Sequence, residues 1–186
     1  MLPKAESAEA IYKLKKELSA NQWIFPIIET AKGMVSASEL VTSSKKVSRL
    51  AFGAIDYCLD LGISKTVSQD ELLYPRSTLV VASKAAGIDP PIDTVFTDFK
   101  DENGLKAETD CAKQLGLLAK LCIHPNQVKI VNRILTPSPE ELSWAKKVIN
   151  AFEEAEEKGI AAISLNGKMI DYPVYKQAVG IVLRTL

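Results

Sequence analysis

The chain has 186 residues, 47% apolar and 25% charged, with 23 basic side chains balanced by 23 acidic ones. That composition supports a buried core, and a formal charge of zero lacks the basic excess selected by nucleic acids or anionic membranes. No window approaches the ~20 apolar residues of a membrane span, and the opening MLPKAESAEAIYKLKKELSA has no apolar signal core, so a cytoplasmic protein is expected.

Residues 5–20 place Ile11, Leu14 and Leu18 at helical spacing between charged positions, which predicts an amphipathic helix. The apolar run 23–28 predicts a buried strand that ends at Glu29, before Thr30 and Ala-Lys-Gly. Residues 36–44 read as a helix, with Ser36 as N-cap and Glu39 three residues on. A short apolar strand, 49–53, runs into Ala54-Ile55-Asp56. After a polar loop, a long helix over 72–86 is stopped by Gly87. The run IDTVFTD predicts a strand ending at Asp98, 103–115 a helix ending at Gly116, and LLAKLCIHP a strand ending at His124. Helices follow over 126–135 and 138–158, the second opening Ser138-Pro139-Glu140-Glu141. The tail, 160–186, holds a small non-periodic piece and a last helix.

Strand alternating with helix is the pattern of a parallel sheet with crossover helices. Glu29, Asp56, Asp98 and His124 close the successive runs at spacings of 27, 42 and 26 positions. A closed eight-stranded barrel uses roughly 31 residues per strand–helix unit, and its chemistry gathers where strands end. Only four good strands are present.

Glu29 and Asp56 lie one unit apart, so they should meet at one rim of the sheet. Two close carboxylates repel unless a cation or a shared proton lies between them. Magnesium suits such a pair, because it takes one or two protein carboxylates and fills its octahedron with water and substrate oxygens. The spacing equally allows each carboxylate to cap the following helix or to pair with a lysine such as Lys32. The other metal ligands are scarce: there is one histidine, and Cys58, Cys111 and Cys122 lack CxxC spacing and read as reduced thiols. His124 before proline reads as a structural group, Arg76 as a residue that packs or pairs at a helix start, and Asp98 and Asp101 as helix caps.

The stretches IIETAKG, RLAFGAIDYCLDLG, YPRSTLVVASKAAGI, IDTVFTDFKDENGL, AKLCIHPNQV and LNGKMIDYP, in that order, resemble the citrate lyase beta subunit/malyl-CoA lyase family, the HpcH/HpaI aldolase-like proteins. The resemblance covers nearly the whole chain and implies an α/β fold: the C-terminal half of a TIM (β/α)8-type barrel, four parallel strands with helices over 1–135, and a helical extension over 136–186. It also implies a magnesium-dependent carbon–carbon lyase acting on a citryl-, citramalyl- or malyl-type thioester of coenzyme A or an acyl carrier. Glu29 and Asp56 match the family's magnesium ligands. The amides of Gly53, Ala54 and Ile55 match those facing the keto-acid carboxylate, and Asp171 matches an acid/base that reaches a neighbouring subunit's site. Asp171 also fits a plain turn aspartate before Tyr-Pro. Family relatives form trimers, so a homo-oligomer is expected.

The resemblance departs at the front. The family's opening strands, an acidic motif and a substrate-contacting arginine have no match, and MLPKAES resembles the end of the fourth barrel strand and the loop after it. A truncated gene start, a missing half supplied by another chain, or oligomerisation over the open edges would each account for this. The alternatives in function are a malate synthase-like or thioesterase relative, and a catalytically silent remnant or scaffold subunit.

Overall fold

Four short runs form one parallel sheet: β1 (Ile27–Ile28), β2 (Ala51–Phe52), β3 (Ile92–Asp93) and β4 (Ala119–Lys120), side by side in that order. The computed structural model describes residues 1–185 and packs them as two units, one from Met1 to Leu135 and one from Thr136 onward. Register is continuous across the sheet, with Ile28 opposite Phe52, Ala51 opposite Ile92, and Asp93 opposite Lys120. Parallel bridges at Leu2–Pro26 and Ile24–Val47 extend the pairing. Leu2 donates its N–H to Phe25 and accepts from Ile27, so the N-terminal residues lie beside β1 as a strand end would.

Parallel neighbours need crossovers, and helices supply them. α1 (Ala8–Glu17) precedes β1, and α2 (Ala31–Val35) and α3 (Ala37–Thr42) lead to β2. α4 (Ala54–Leu61), a 3-10 turn (Asp70–Leu72) and α5 (Leu73–Ala85) lead to β3. α6 (Glu102–Leu115) leads to β4, and α7 (Pro125–Leu135) follows it. Ile11, Ile28, Leu40, Leu50, Phe52, Leu72 and Leu79 are fully buried in one core between α1–α5 and β1–β2. α6 stops where Gly116 turns left-handed and returns N–H bonds to Ala112 and Lys113, the helix-ending geometry open to glycine.

Four expectations are corrected or refined. The strand expected over 23–28 keeps its ladder only at Ile27–Ile28, with Ile24 bridged alone. The helix expected over 36–44 is α3, with Ser36 at its N-cap position but making no side-chain cap bond, and a further helix, α2, precedes it because the Thr30 hydroxyl accepts from Gly33 N–H. β3 ends at Asp93 and not at Asp98, whose carboxylate instead accepts from Lys100 N–H in a turn. β4 ends at Lys120, four residues before His124.

In the second unit, α8 (Pro139–Glu156) opens with a reciprocal cap: Ser138 accepts from Glu141 N–H, and Glu141 accepts from Ser138 N–H. The segment expected to be non-periodic is a hairpin, β5 (Ile163–Leu165) with β6 (Lys168–Ile170). Asn166 and Gly167 at its turn are both left-handed, the conformation an Asn-Gly hairpin turn requires. α9 (Tyr172–Leu183) completes the unit, and Ala145, Val148, Phe152, Ile170, Ala178 and Ile181 form its core. Among the described residues, no helix is long and apolar enough to cross a membrane.

Candidate metal centre

Glu29 follows the last residue of β1 and is 8% exposed, so its carboxylate is nearly out of water. An ionised carboxylate in that position needs partners. One oxygen has a partner: Oε1 accepts from the Lys4 backbone N–H at 2.7 Å. The other, Oε2, lies against Gly53, where an added Cβ would sit 2.6 Å from it. Gly53 is the N-cap of α4, and Asp56 lies in the first turn of that helix, three residues on. Both carboxylates therefore belong to the N-terminal end of α4, where the helix dipole favours negative charge.

The alternatives left open by spacing are resolved by the contacts. Lys32 pairs with Glu6 rather than Glu29, and α2 is capped by Thr30. Asp56 makes no hydrogen bond or ion pair among the described residues, and Oε2 of Glu29 makes no hydrogen bond there. Two oxygen donors, half-buried or buried and uncommitted, suit a hard cation that draws its remaining ligands from water and substrate. No group of three or more His, Cys, Asp or Glu that could hold a metal occurs among the described residues.

The three backbone amides expected to face a substrate carboxylate are not equivalent. Gly53 N–H donates to Ile28 at 3.0 Å, and Ala54 N–H donates to the Thr94 hydroxyl at 3.0 Å. This corrects the expectation for Gly53 and Ala54, whose N–H groups are already spent on the fold. Ile55 lies in the first turn of α4, where N–H groups have no carbonyl acceptor within the helix.

Asp171 sits in the second unit as the N-cap of α9, its Oδ1 accepting from Val174 N–H at 3.2 Å. His124 accepts from Asn126 N–H through Nδ1 and stacks on Phe99 at 5.3 Å between ring centroids, a structural role. Asp101 caps α6 by accepting from Gly104 N–H. Burial pushes the Cys58 thiol up and Glu71 adds to this, so it stays protonated.

Sequence reasoning missed a buried ionic network at the ends of β3 and β4. Arg76 on α5, 1% exposed, makes a two-pronged contact with Asp93 at 2.9 and 3.1 Å and a third bond to Gln69. Lys120 bridges Asp93 at 2.9 Å and Glu108 at 2.7 Å, and Lys65 and Gln69 also reach Glu108. Burial pushes the Glu108 carboxyl up, but Lys120 and then Lys65 outweigh it and hold the group below its ordinary range. A cleft of about 440 Å³ opens beside this network, lined by Lys65, Gln69, Phe96, Asp101, Glu108 and Cys111 among others. Glu29 and Asp56 do not line it. The only early signal was Arg76 at a helix start; its partners are distant in sequence.

Known proteins resemble this chain along most of its length. It is 37% identical over 187 residues to citrate lyase subunit beta of Leuconostoc mesenteroides subsp. cremoris, covering 95% of this chain and 62% of that protein. It is 33% identical to the mitochondrial citramalyl-CoA lyase of Rattus norvegicus, covering 98% of this chain and 59% of that protein. The chain thus spans about three fifths of the length of these relatives. A solved structure of CitE from Mycobacterium tuberculosis, in complex with magnesium, acetoacetate and coenzyme A, matches with a TM-score of 0.83 and 32% identity. That match covers 99% of this chain and 67% of that one. The parallel sheet and helices are those of the TIM-barrel-like citrate lyase beta fold. Residues 1–125 match the HpcH/HpaI aldolase/citrate lyase family, and the chain belongs to that family.

Proposed function

We propose that this chain carries the magnesium-binding part of a carbon–carbon lyase that cleaves a hydroxy-acyl thioester of citryl-, citramalyl- or malyl-CoA type into a keto acid and an acyl thioester. The observation that carries this is the uncommitted oxygen pair, Glu29 Oε2 and Asp56, at the N-terminus of α4. It is supported by the magnesium, acetoacetate and coenzyme A in the Mycobacterium tuberculosis relative. Magnesium, when bound by Glu29 and Asp56, would supply Lewis-acid polarisation of a hydroxy- or keto-acid oxygen. The chain's own part is to hold two carboxylates rigidly and present the Ile55 N–H at the same helix end. Asp171 is proposed as the acid/base of a homo-oligomer: its Oδ1 is fixed by the α9 cap, which leaves Oδ2 as the proton carrier.

A second reading keeps the metal site without turnover. It is favoured by Arg76, the buried arginine of α5, which is locked on Asp93 and so is not available to a substrate carboxylate.

The test uses the purified 186-residue chain with citryl-, citramalyl- and malyl-CoA, following release of the keto acid with and without magnesium. Magnesium-dependent cleavage that Glu29→Ala abolishes supports the lyase. Magnesium binding without cleavage, lost in Glu29→Ala, supports the silent reading. Cleavage unaffected by chelation would sink the metal assignment.

A further inference from the structure

The structure assigns Lys4, through its backbone N–H, as the positioning residue that aims the Glu29 carboxylate, with residues 2–6 forming a clamp across the segment ETAKG. This rests on the reading of Glu29 and Asp56 as a metal pair and adds what holds the pair in place. Lys4 is one of three non-glycine residues with positive φ among the described residues, at 45°. A left-handed lysine costs energy and persists only where its surroundings over-determine it. Here that conformation accompanies a 2.7 Å hydrogen bond from Lys4 N–H to Glu29 Oε1, across 25 positions of sequence.

The residues on either side of Lys4 are tied to the same segment. Leu2 exchanges backbone bonds with Phe25 and Ile27, and Ala5 N–H donates to Ile27. Glu6 accepts from the Thr30 hydroxyl at 3.0 Å and pairs with Lys32 at 3.5 Å. Gly33 permits the approach, since a Cβ there would lie 2.7 Å from the Ala5 carbonyl oxygen. On the opposite side, Gly53 admits Oε2 against its Cα. Glu29 is thus gripped between two backbones. Oε1 is spent on Lys4, and Oε2 is left to face the end of α4 that carries Asp56.

The Lys4 side chain is exposed and plays no part in this; the N–H and the left-handed backbone do the positioning. Groups that orient a metal ligand typically contribute ~10–100-fold to metal affinity.

The probe is manganese(II), titrated by electron paramagnetic resonance. An amide-to-ester replacement at Lys4 removes the N–H and little else, and should weaken manganese binding about 10–100-fold while circular dichroism shows the fold intact. Lys4→Pro, which loses both the N–H and the left-handed backbone, should bind no better than the ester. Lys4→Gly, the conservative variant that keeps both, should restore binding. Equal affinity in the ester and the unmodified chain overturns the inference. A metal-free readout separates this from the magnesium reading. Hydrogen exchange at the Lys4 amide should be slow in the parent chain and fast in Glu29→Ala; unchanged exchange overturns the clamp. Slow exchange in a chain that binds no manganese would keep the clamp and reject the magnesium reading.

Discussion

At Gly53 one hydrogen atom decides whether the candidate centre exists. A Cβ there would sit 2.6 Å from both Cβ and Oε2 of Glu29, closer than real Cβ contacts come. Gly53→Ala should therefore displace the carboxylate and reduce magnesium affinity at least tenfold, measurable by isothermal titration calorimetry. Wild-type affinity in this variant would place the metal away from Oε2. A second residue is informative in the opposite direction. Ser83, buried on α5, has a hydroxyl with no hydrogen-bond partner among the described residues. An unpartnered buried hydroxyl costs about 1–3 kcal/mol. Ser83→Ala should raise stability by about 1 kcal/mol in urea unfolding, and a loss would mean that the hydroxyl has a role the contacts do not show.

At the scale of elements, the buried network joins α5, α6, β3 and β4 through charges rather than apolar contacts. Arg76→Met leaves Asp93 with Lys120 as its remaining cation but removes the guanidinium donors from Asp93 and Gln69, and buried acceptors left without donors cost about 1–3 kcal/mol. The variant should destabilise the first unit by about that amount in denaturant titration, and no loss of stability would show that water replaces the guanidinium. Glu108 gives the network a pH signature. Its carboxyl is held below the ordinary glutamate value near 4.5, so it contributes stability that is present above that value. The contribution is lost as pH falls through the depressed folded value. Stability measured between about pH 5 and 3 should drop steeply in the parent chain and less steeply in Glu108→Gln. Parallel acid limbs in the two would remove Glu108 from the account.

At the scale of the whole molecule, the described sheet has two unequal borders. The Leu2 segment lies beyond β1, and β4 pairs only with β3. The outer N–H and C=O groups of β4 form an edge that another strand can use. Sedimentation velocity at rising concentration should show species heavier than the 20.3 kDa chain, and a monomer throughout would count against edge pairing.

Much of the architecture was legible in the amino-acid sequence, for local reasons. Apolar runs recurring at barrel-unit spacing mark β1 to β4, Gly87 and Gly116 stop α5 and α6, and Ser138-Pro139-Glu140-Glu141 marks the start of α8. The α2 start was missed because Thr30 belongs to a motif read as chemistry rather than as a cap. The hairpin carried its Asn166-Gly167 signal, but its strands are only three residues long and show no period.

By itself, then, the sequence determined the alternation of strand and helix, the helix stops, and the two carboxylates one barrel unit apart. Those depend on local propensity and on motifs a few residues long. The tertiary structure alone decided which groups are spent and which are uncommitted. Lys4 N–H reaches Glu29 across 25 positions, Ala54 N–H is taken by Thr94 across 40, and Arg76 and Lys120 converge on Asp93 from different elements. Such pairings follow from the packing of distant segments, which no local pattern encodes.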